Sequence, residues 1–288
     1  MRHAILAHFS DNPYAAIVRF CIVLLVFCWF ILGAGAARAQ TNVPPRAMPV
    51  NPDDMTNVAP VEPAIPQPVP NGVNVHWYGH GFVYLTSSVG VRAAIDPFGS
   101  ETVHYKFPDH LTADFVLVSH ESEDHAAADL LFGNPLIFRS VTAVGLNRAN
   151  GIPFHGIALQ KDPNGDGPAN TAFTLTFDGV KFCYLGQIAQ PLLATEKQEL
   201  GQCDVLFLPV GLTALSVTDL NQVVSDLNAK VIIPINYKTE ESGYLPLRSL
   251  DDYLAQANLP VRKFDSSEIV ISRTMLPEKP TVYVLKSP

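Results

Sequence analysis

The residues best suited to chemistry lie in one short run, His120-Glu121-Ser122-Glu123-Asp124-His125. Two imidazoles and a carboxylate this close together are donors suited to zinc, iron or manganese. The run follows Phe115-Val116-Leu117-Val118, an apolar stretch that reads as a short buried strand. A tight loop leaving a strand end lets several ligands from one segment converge on a common point. A second run, Asp162-Pro163-Asn164-Gly165-Asp166-Gly167, places oxygen donors at alternate positions (Asp162, Asn164, Asp166), as the start of an EF-hand-like calcium loop does. Phe173 stands where that loop needs its final acid, so a polar turn is the simpler reading and calcium the secondary one.

The elements that position the first run are β-rich on its N-terminal side. Val73 to Tyr78 alternates in character before Gly79-His80-Gly81, and Phe82 to Leu85 and Val91 to Ile95 follow, joined by Ser87-Ser88-Val89-Gly90. These predict antiparallel strands with turns, the third ending at Asp96-Pro97. Ala126 to Phe132 reads as helical. Apolar strands at 182–185, 205–208 and 231–235 are separated by helical stretches at 192–200, 219–227 and 250–257, and the tail at 269–271 and 281–285 is strand again. Strands alternating with helices indicate an α/β layered fold.

Composition limits the function classes. The chain has 288 residues, 48% hydrophobic and 16% charged, with a net charge of −8. No basic stripe is present, which argues against nucleic acid as a partner. Arg19 precedes an apolar run at 21–32, and Ala37-Arg38-Ala39-Gln40 closes it with small residues, the layout of a cleaved signal peptide over 1–39. This predicts export to the periplasm or beyond, with no membrane span after cleavage. The alternative is an uncleaved N-terminal anchor. Residues 40–70 are proline-rich with few large apolar side chains, and read as a linker to a domain at 71–288. Cys183 and Cys203 each begin a predicted strand, as small core residues or as an oxidised pair.

The motif in this setting resembles the metallo-β-lactamase superfamily, whose ligand pattern is H-x-H-x-D-H. Within it the closest likeness is to the branch of ascorbate phosphate lactonases and N-acyl-phosphatidylethanolamine phospholipase D. The resemblance runs from Val75 to Leu285 through Trp77-Tyr78-Gly79-His80, Ile95-Asp96-Pro97, Asn170-Thr171-Ala172-Phe173, Leu185-Gly186, Asp204 to Gly211 and Ile233 to Thr239. It implies a four-layer αββα sandwich, with His120, Asp124, His125 and His155 as metal ligands. Three family positions are changed. Ser122 stands for the second histidine, Gln187 for the bridging aspartate after Leu-Gly, and Asn236 for the last histidine.

Those changes have a physical meaning. A bridging carboxylate offsets cation charge and supports two neighbouring metals, whereas Gln187 offers only a neutral carbonyl. The resemblance therefore implies one zinc, manganese or iron, held by His120, His155 and one or both of Asp124 and His125. A hydrogen-bonded polar cluster without metal is the alternative. Asp124 is the expected catalytic residue, as ligand or proton acceptor. His80 either lines the pocket or is a structural turn residue, Asp96 is expected to orient the motif loop, and Tyr237 and Lys238 could meet an anionic substrate. Two functions stay open: mononuclear metal-dependent hydrolysis of a small phosphate ester, lactone or amide, and an inactive exported member that binds a ligand or partner.

Overall fold

The computed structural model describes residues 72–99, 101–159 and 169–288. The expected signal peptide, the proline-rich linker and the calcium-loop residues Asp162, Asn164 and Asp166 lie outside the described residues. No helix among the described residues is long and apolar enough to cross a membrane.

The first sheet begins with an antiparallel meander, β1 (Val73–Gly79), β2 (Phe82–Thr86) and β3 (Arg92–Ile95). Two parallel strands extend it, β4 (Phe115–Val118) and β5 (Leu136–Arg139). The chain then enters a second sheet through β6 (Gly145–Ala149), β7 (Ile152–Leu159), β8 (Asn170–Phe177) and β9 (Val180–Tyr184). Two central strands, β10 (Val205–Pro209) and β11 (Val231–Ile235), run parallel to β9. After β12 (Val261–Lys263), β13 (Glu268–Ile271) returns to the edge of the first sheet beside β1, and β14 (Thr281–Val284) inserts between β12 and β11.

The two sheets share one apolar interior. Val75, Trp77, Leu85, Ile95 and Leu117 from the first sheet join Phe154, Phe173, Phe182 and Phe207 from the second, all buried. β10 and β11 are buried at every position, as expected of parallel strands covered on both faces. Three helices cover the second sheet: α1 (Ala194–Leu200), α2 (Val217–Asp226) and α3 (Leu250–Ala257), contributing Leu200, Leu220, Val223 and Tyr253 to the same core. The helices at 219–227 and 250–257 start where Ser216 and Ser249 accept from the backbone N–H three residues on.

The outer face of the first sheet differs from expectation. The segment read as a helix over 126–132 forms only a 3-10 turn at Ala128–Leu130. Gly133, with φ of 90°, and Pro135 stop it before a second turn can form. That face is closed instead by loop side chains, Phe98, Val103, Tyr105 and Leu111, packed on Phe82, Tyr84 and Val116. Cys183 and Cys203 are free and buried, so the paired alternative does not form and they serve as core residues.

Candidate functional site

The site sits where strands of both sheets end. β1 leads directly into His80, β3 into Asp96, β4 into the Ser119–His125 loop, β9 into Leu185-Gly186-Gln187 and β11 into Asn236. Three of these terminal residues adopt left-handed backbone, His80 (φ 48°), Asp96 (φ 49°) and Asn236 (φ 53°). Left-handed non-glycine residues cluster at functional sites because only strong surrounding packing sustains them. Each turns its strand abruptly, so the side chain meets the others instead of continuing the alternation.

Asp96 organises the motif loop. It is fully buried and accepts from the Ser119 N–H at 2.6 Å, from the Ser119 hydroxyl, and from the Tyr184 hydroxyl at 2.8 Å. Burial pushes its carboxyl up to about 6 despite those donors. Because the Ser119 hydroxyl donates to Asp96, its oxygen accepts from His120 Nδ1 at 2.8 Å. The His120 proton is therefore on Nδ1, and its Nε2 lone pair faces Ser122 Oγ at 2.9 Å. Burial, together with the neighbouring His125, drives the His120 imidazole down to about 3, so it is neutral.

Asp124 bridges two histidines. Its Oδ2 lies 3.0 Å from His80 Nε2 and its Oδ1 3.2 Å from His125 Nδ1, while Ser122 Oγ donates to Oδ1 at 2.7 Å. Partial burial opposes its charge, but the hydrogen bonds from His125, His80 and Ser122 outweigh that and hold the carboxyl far below the usual range. Burial lowers the His80 imidazole in spite of its bond to Asp124. His125 shows the opposite balance: burial is outweighed by Asp124 and Asp96, and its pKa rises. The Asn236 amide faces His125 Nε2 at 3.0 Å. Two buried polar atoms here have no hydrogen-bond partner, His80 Nδ1 and Asn236 Oδ1.

Backbone closeness makes the arrangement specific. A Cβ on Gly81 would fall 2.8 Å from His125 Nε2 and 2.9 Å from the Tyr184 hydroxyl, so only glycine lets β2 pass under the site. Gly186, with φ of 58°, would collide with Asn170 and Ser119 if it carried a side chain. Asn170 in turn pins the Gly186 turn, donating to the Leu185 carbonyl and accepting from the Gln187 N–H, both at 3.0 Å.

A metal fit follows from the donor set. Among the described residues, the ligand atoms of His80, Asp124 and His125 lie within 4.8 Å of one another. Tetrahedral ligands at zinc distances stand ~3.3 Å apart; here the two imidazoles are hydrogen-bonded to different oxygens of Asp124, at 3.0 and 3.2 Å, so an ion would take the place of those hydrogen bonds. The residues present fit one divalent ion, with His120 Nε2 as a neutral nitrogen beside them. They do not fit two, since Ser122, Gln187 and Asn236 supply no carboxylate or imidazole.

Two expectations change. His155 is not brought to the cluster. It pairs with Leu146 and Thr174 in mid-strand and faces Glu199 at 3.9 Å. It lies four residues before the end of β7 at Leu159, and at ~3.3 Å per residue that leaves it ~13 Å short of the strand end beside Asn170. Tyr237 points into the core against Trp77, with ring centroids 5.2 Å apart, and does not line the cavity. Conversely, His80, one of several pocket candidates from sequence, is part of the central donor group. Asn170 escaped the site reading because a strand's first residue carries no local sign of a partner fifteen or more residues away. Its neighbour Gln187 lines the cavity with its side chain exposed.

Above the donors lies a cavity of about 370 Å³, floored by His80, Asp124 and His125. Its walls come from Ile188-Ala189, Leu212-Thr213-Ala214 and Leu245-Pro246-Leu247.

Comparison with known proteins is consistent with this geometry. Residues 74–236 match the β-lactamase superfamily domain family. A curated relative, a "UPF0173 metal-dependent hydrolase" of Ligilactobacillus salivarius, is 25% identical over 194 residues, covering 58% of this chain and 86% of its own. A crystal structure from Thermotoga maritima, assigned as a zinc-dependent hydrolase of the metallo-β-lactamase superfamily, superposes with a TM-score of 0.61. It is 29% identical and covers 75% of this chain and all of that one.

Proposed function

Because the chain belongs to the β-lactamase superfamily domain family, we propose that it is a metal-dependent hydrolase of a small molecule working with a single divalent ion. The observation that carries this reading is the gathering of His80, Asp124 and His125 around one point, with ligand atoms within 4.8 Å of one another. The names of its relatives, both metal-dependent hydrolases, support it. Zinc is the first choice and manganese or iron the alternatives, on donor type.

The chain's own residues have distinct tasks. His80 and His125 hold the ion on either side of Asp124, whose carboxylate stays ionised and offsets its charge. His120, neutral and with its Nε2 lone pair beside Ser122 Oγ, offers a further nitrogen or a proton acceptor. Asp96 and Ser119 fix the His120 tautomer, as outer partners of metal-binding histidines commonly do. A divalent ion held there supplies Lewis acidity and eases deprotonation of water. The resemblance to lactonases and phospholipase D supports a phosphate ester, lactone or amide bond as the target. The inactive alternative finds less support, since the donors remain assembled, the two histidines buried and Asp124 partly so. On the layout of residues 1–39 we place the protein outside the cytoplasm, and fusing residues 1–45 to an export-dependent reporter tests that location.

The deciding experiment is metal analysis of the full chain purified without a chelating tag. One equivalent of zinc, manganese or iron, lost in His80→Ala and Asp124→Ala, is expected. No bound metal after incubation with all three would sink the reading.

A further inference from the structure

We propose that the cavity selects an uncharged acyl compound, a short-chain ester, lactone or amide, over a phosphate ester; this rests on the hydrolase reading above. The argument starts from charge. Among the described residues lining the cavity there is no lysine or arginine, and its one fixed charge is the Asp124 carboxylate. Binding a phosphate mono- or diester removes an anion from water; one divalent ion, partly offset by Asp124, would compensate some of that charge, and phosphate sites commonly add charge-assisted donors, above all arginine. Here the polar lining above the floor is neutral: Asn170, Gln187 and Thr213.

Two cations beside the wall loops, neither of them in the cavity lining, donate to backbone carbonyls. Arg248 Nη1 donates to the Val210 and Leu212 carbonyls at 2.7 and 3.3 Å, and its Nη2 to the Leu215 carbonyl at 2.7 Å. Lys238 Nζ donates to the Gly243 carbonyl at 2.6 Å and reaches the Leu245 carbonyl at 3.5 Å. Both side chains thus hold the wall loops in place, and neither presents its charge to a ligand. This also answers the expectation that Lys238 would meet an anionic substrate.

The walls themselves are aliphatic. Ile188, Leu212, Ala214, Leu245 and Leu247 close around a volume near the lower end of ordinary ligand pockets, ~300–1,000 Å³. Such a surface favours a short alkyl or acyl chain, while the amide of Gln187 and hydroxyl of Thr213 suit a carbonyl or ring oxygen. The reaction is ordinary hydrolysis: water adds to the acyl carbon, the bond to the alkoxy or amino group breaks, and the leaving group takes a proton.

The test uses the full chain loaded with one equivalent of zinc. Turnover of p-nitrophenyl butyrate and hexanoate is compared with that of p-nitrophenyl phosphate and bis(p-nitrophenyl) phosphate. An acyl preference of about 100-fold in kcat/KM is expected, and Ala214→Trp should reduce hexanoate relative to butyrate about tenfold by filling the wall. Preference for either phosphate ester would overturn the proposal and leave the hydrolase reading standing. Calorimetric binding of hexanamide and of phenyl phosphate to the zinc-free chain supplies an arm independent of turnover. If neither substrate class is hydrolysed, the hydrolase reading fails and this arm alone decides: tighter hexanamide binding retains the acyl pocket, and equal or tighter phenyl phosphate binding rejects it.

Discussion

The floor of the cavity and its walls are built on opposite principles. The floor is made of imidazoles and carboxylates from the strand ends of the first sheet, joined by short hydrogen bonds and held by left-handed backbone. The walls are aliphatic loops of the second sheet, held from behind by Arg248 and Lys238. The floor concentrates charge where water is scarce, and the walls contribute shape. The difference teaches that reactivity and selectivity are separable here: floor substitutions should act on metal binding and turnover, wall substitutions on substrate preference.

The largest effect is expected at Asp124. Removing the carboxylate between His80 and His125 in Asp124→Ala should abolish metal retention and lower kcat/KM on the order of 10³-fold or more. Elemental analysis and steady-state kinetics check it; retained metal with full turnover would break the division between floor and walls at its centre.

Next is Asp96→Ala, which strands the Ser119 N–H and the Ser119 hydroxyl proton and leaves the Tyr184 hydroxyl with only the Gly81 carbonyl at 3.0 Å. At ~1–3 kcal/mol for each buried group left unpaired, a marked loss of Tm is expected. Asp96→Asn, which keeps one acceptor, should show a smaller loss together with a metal affinity reduced about 10–100-fold. Gly81→Ala comes third. Its Cβ would press on His125, so zinc binding should weaken while the circular dichroism of the sandwich persists.

A wall variant should behave differently. Arg248→Ala frees the 210–215 loop, so KM should rise severalfold with kcat nearly unchanged, and metal content should stay at one equivalent. Loss of metal in this variant would show that floor and walls are coupled.

The smallest effect lies outside both regions. Arg92 clamps the Asp114 carboxylate at the base of β3 and β4, with Nη2 to Oδ1 at 3.0 Å. Partial burial raises the Asp114 carboxyl, but the hydrogen bonds from Arg92 outweigh it and the net shift is downward. A lowered folded-state pKa stabilises fully above the unfolded value, about 3.9, and the contribution disappears as pH falls through the folded value. Asp114→Asn should therefore melt slightly below the parent at pH 7. Thermal melts should show that gap closing as the pH drops below about 4, with metal content and kinetics untouched.

Much of this was legible in the chain and some was not. Val73 to Ile95 alternates and is punctuated by glycines, so the antiparallel meander could be read directly. The apolar runs at 205–208 and 231–235 announced buried parallel strands. Strands over 136–177 were not anticipated, since Leu136, Ile137 and Leu146 face outward and leave no clean alternation. The stretch 126–132 has helical composition but is too short before Gly133 to form a helix without packing support.

The site divides in the same way. The sequence alone determined that Ser119 to His125 is a polar loop after a buried strand, because neighbouring residues on one tight loop are placed by local backbone geometry. It also determined that two metals lack ligands, because residue type at 122, 187 and 236 is chemistry that no fold can alter. Only the tertiary structure decided that His80 joins Asp124 across 44 residues, that Asn236 meets His125 across 111, and that His155 is left in mid-strand. Strand register sets where a side chain arrives, at ~3.3 Å per residue, and register is settled by packing the two sheets, which sequence spacing does not encode.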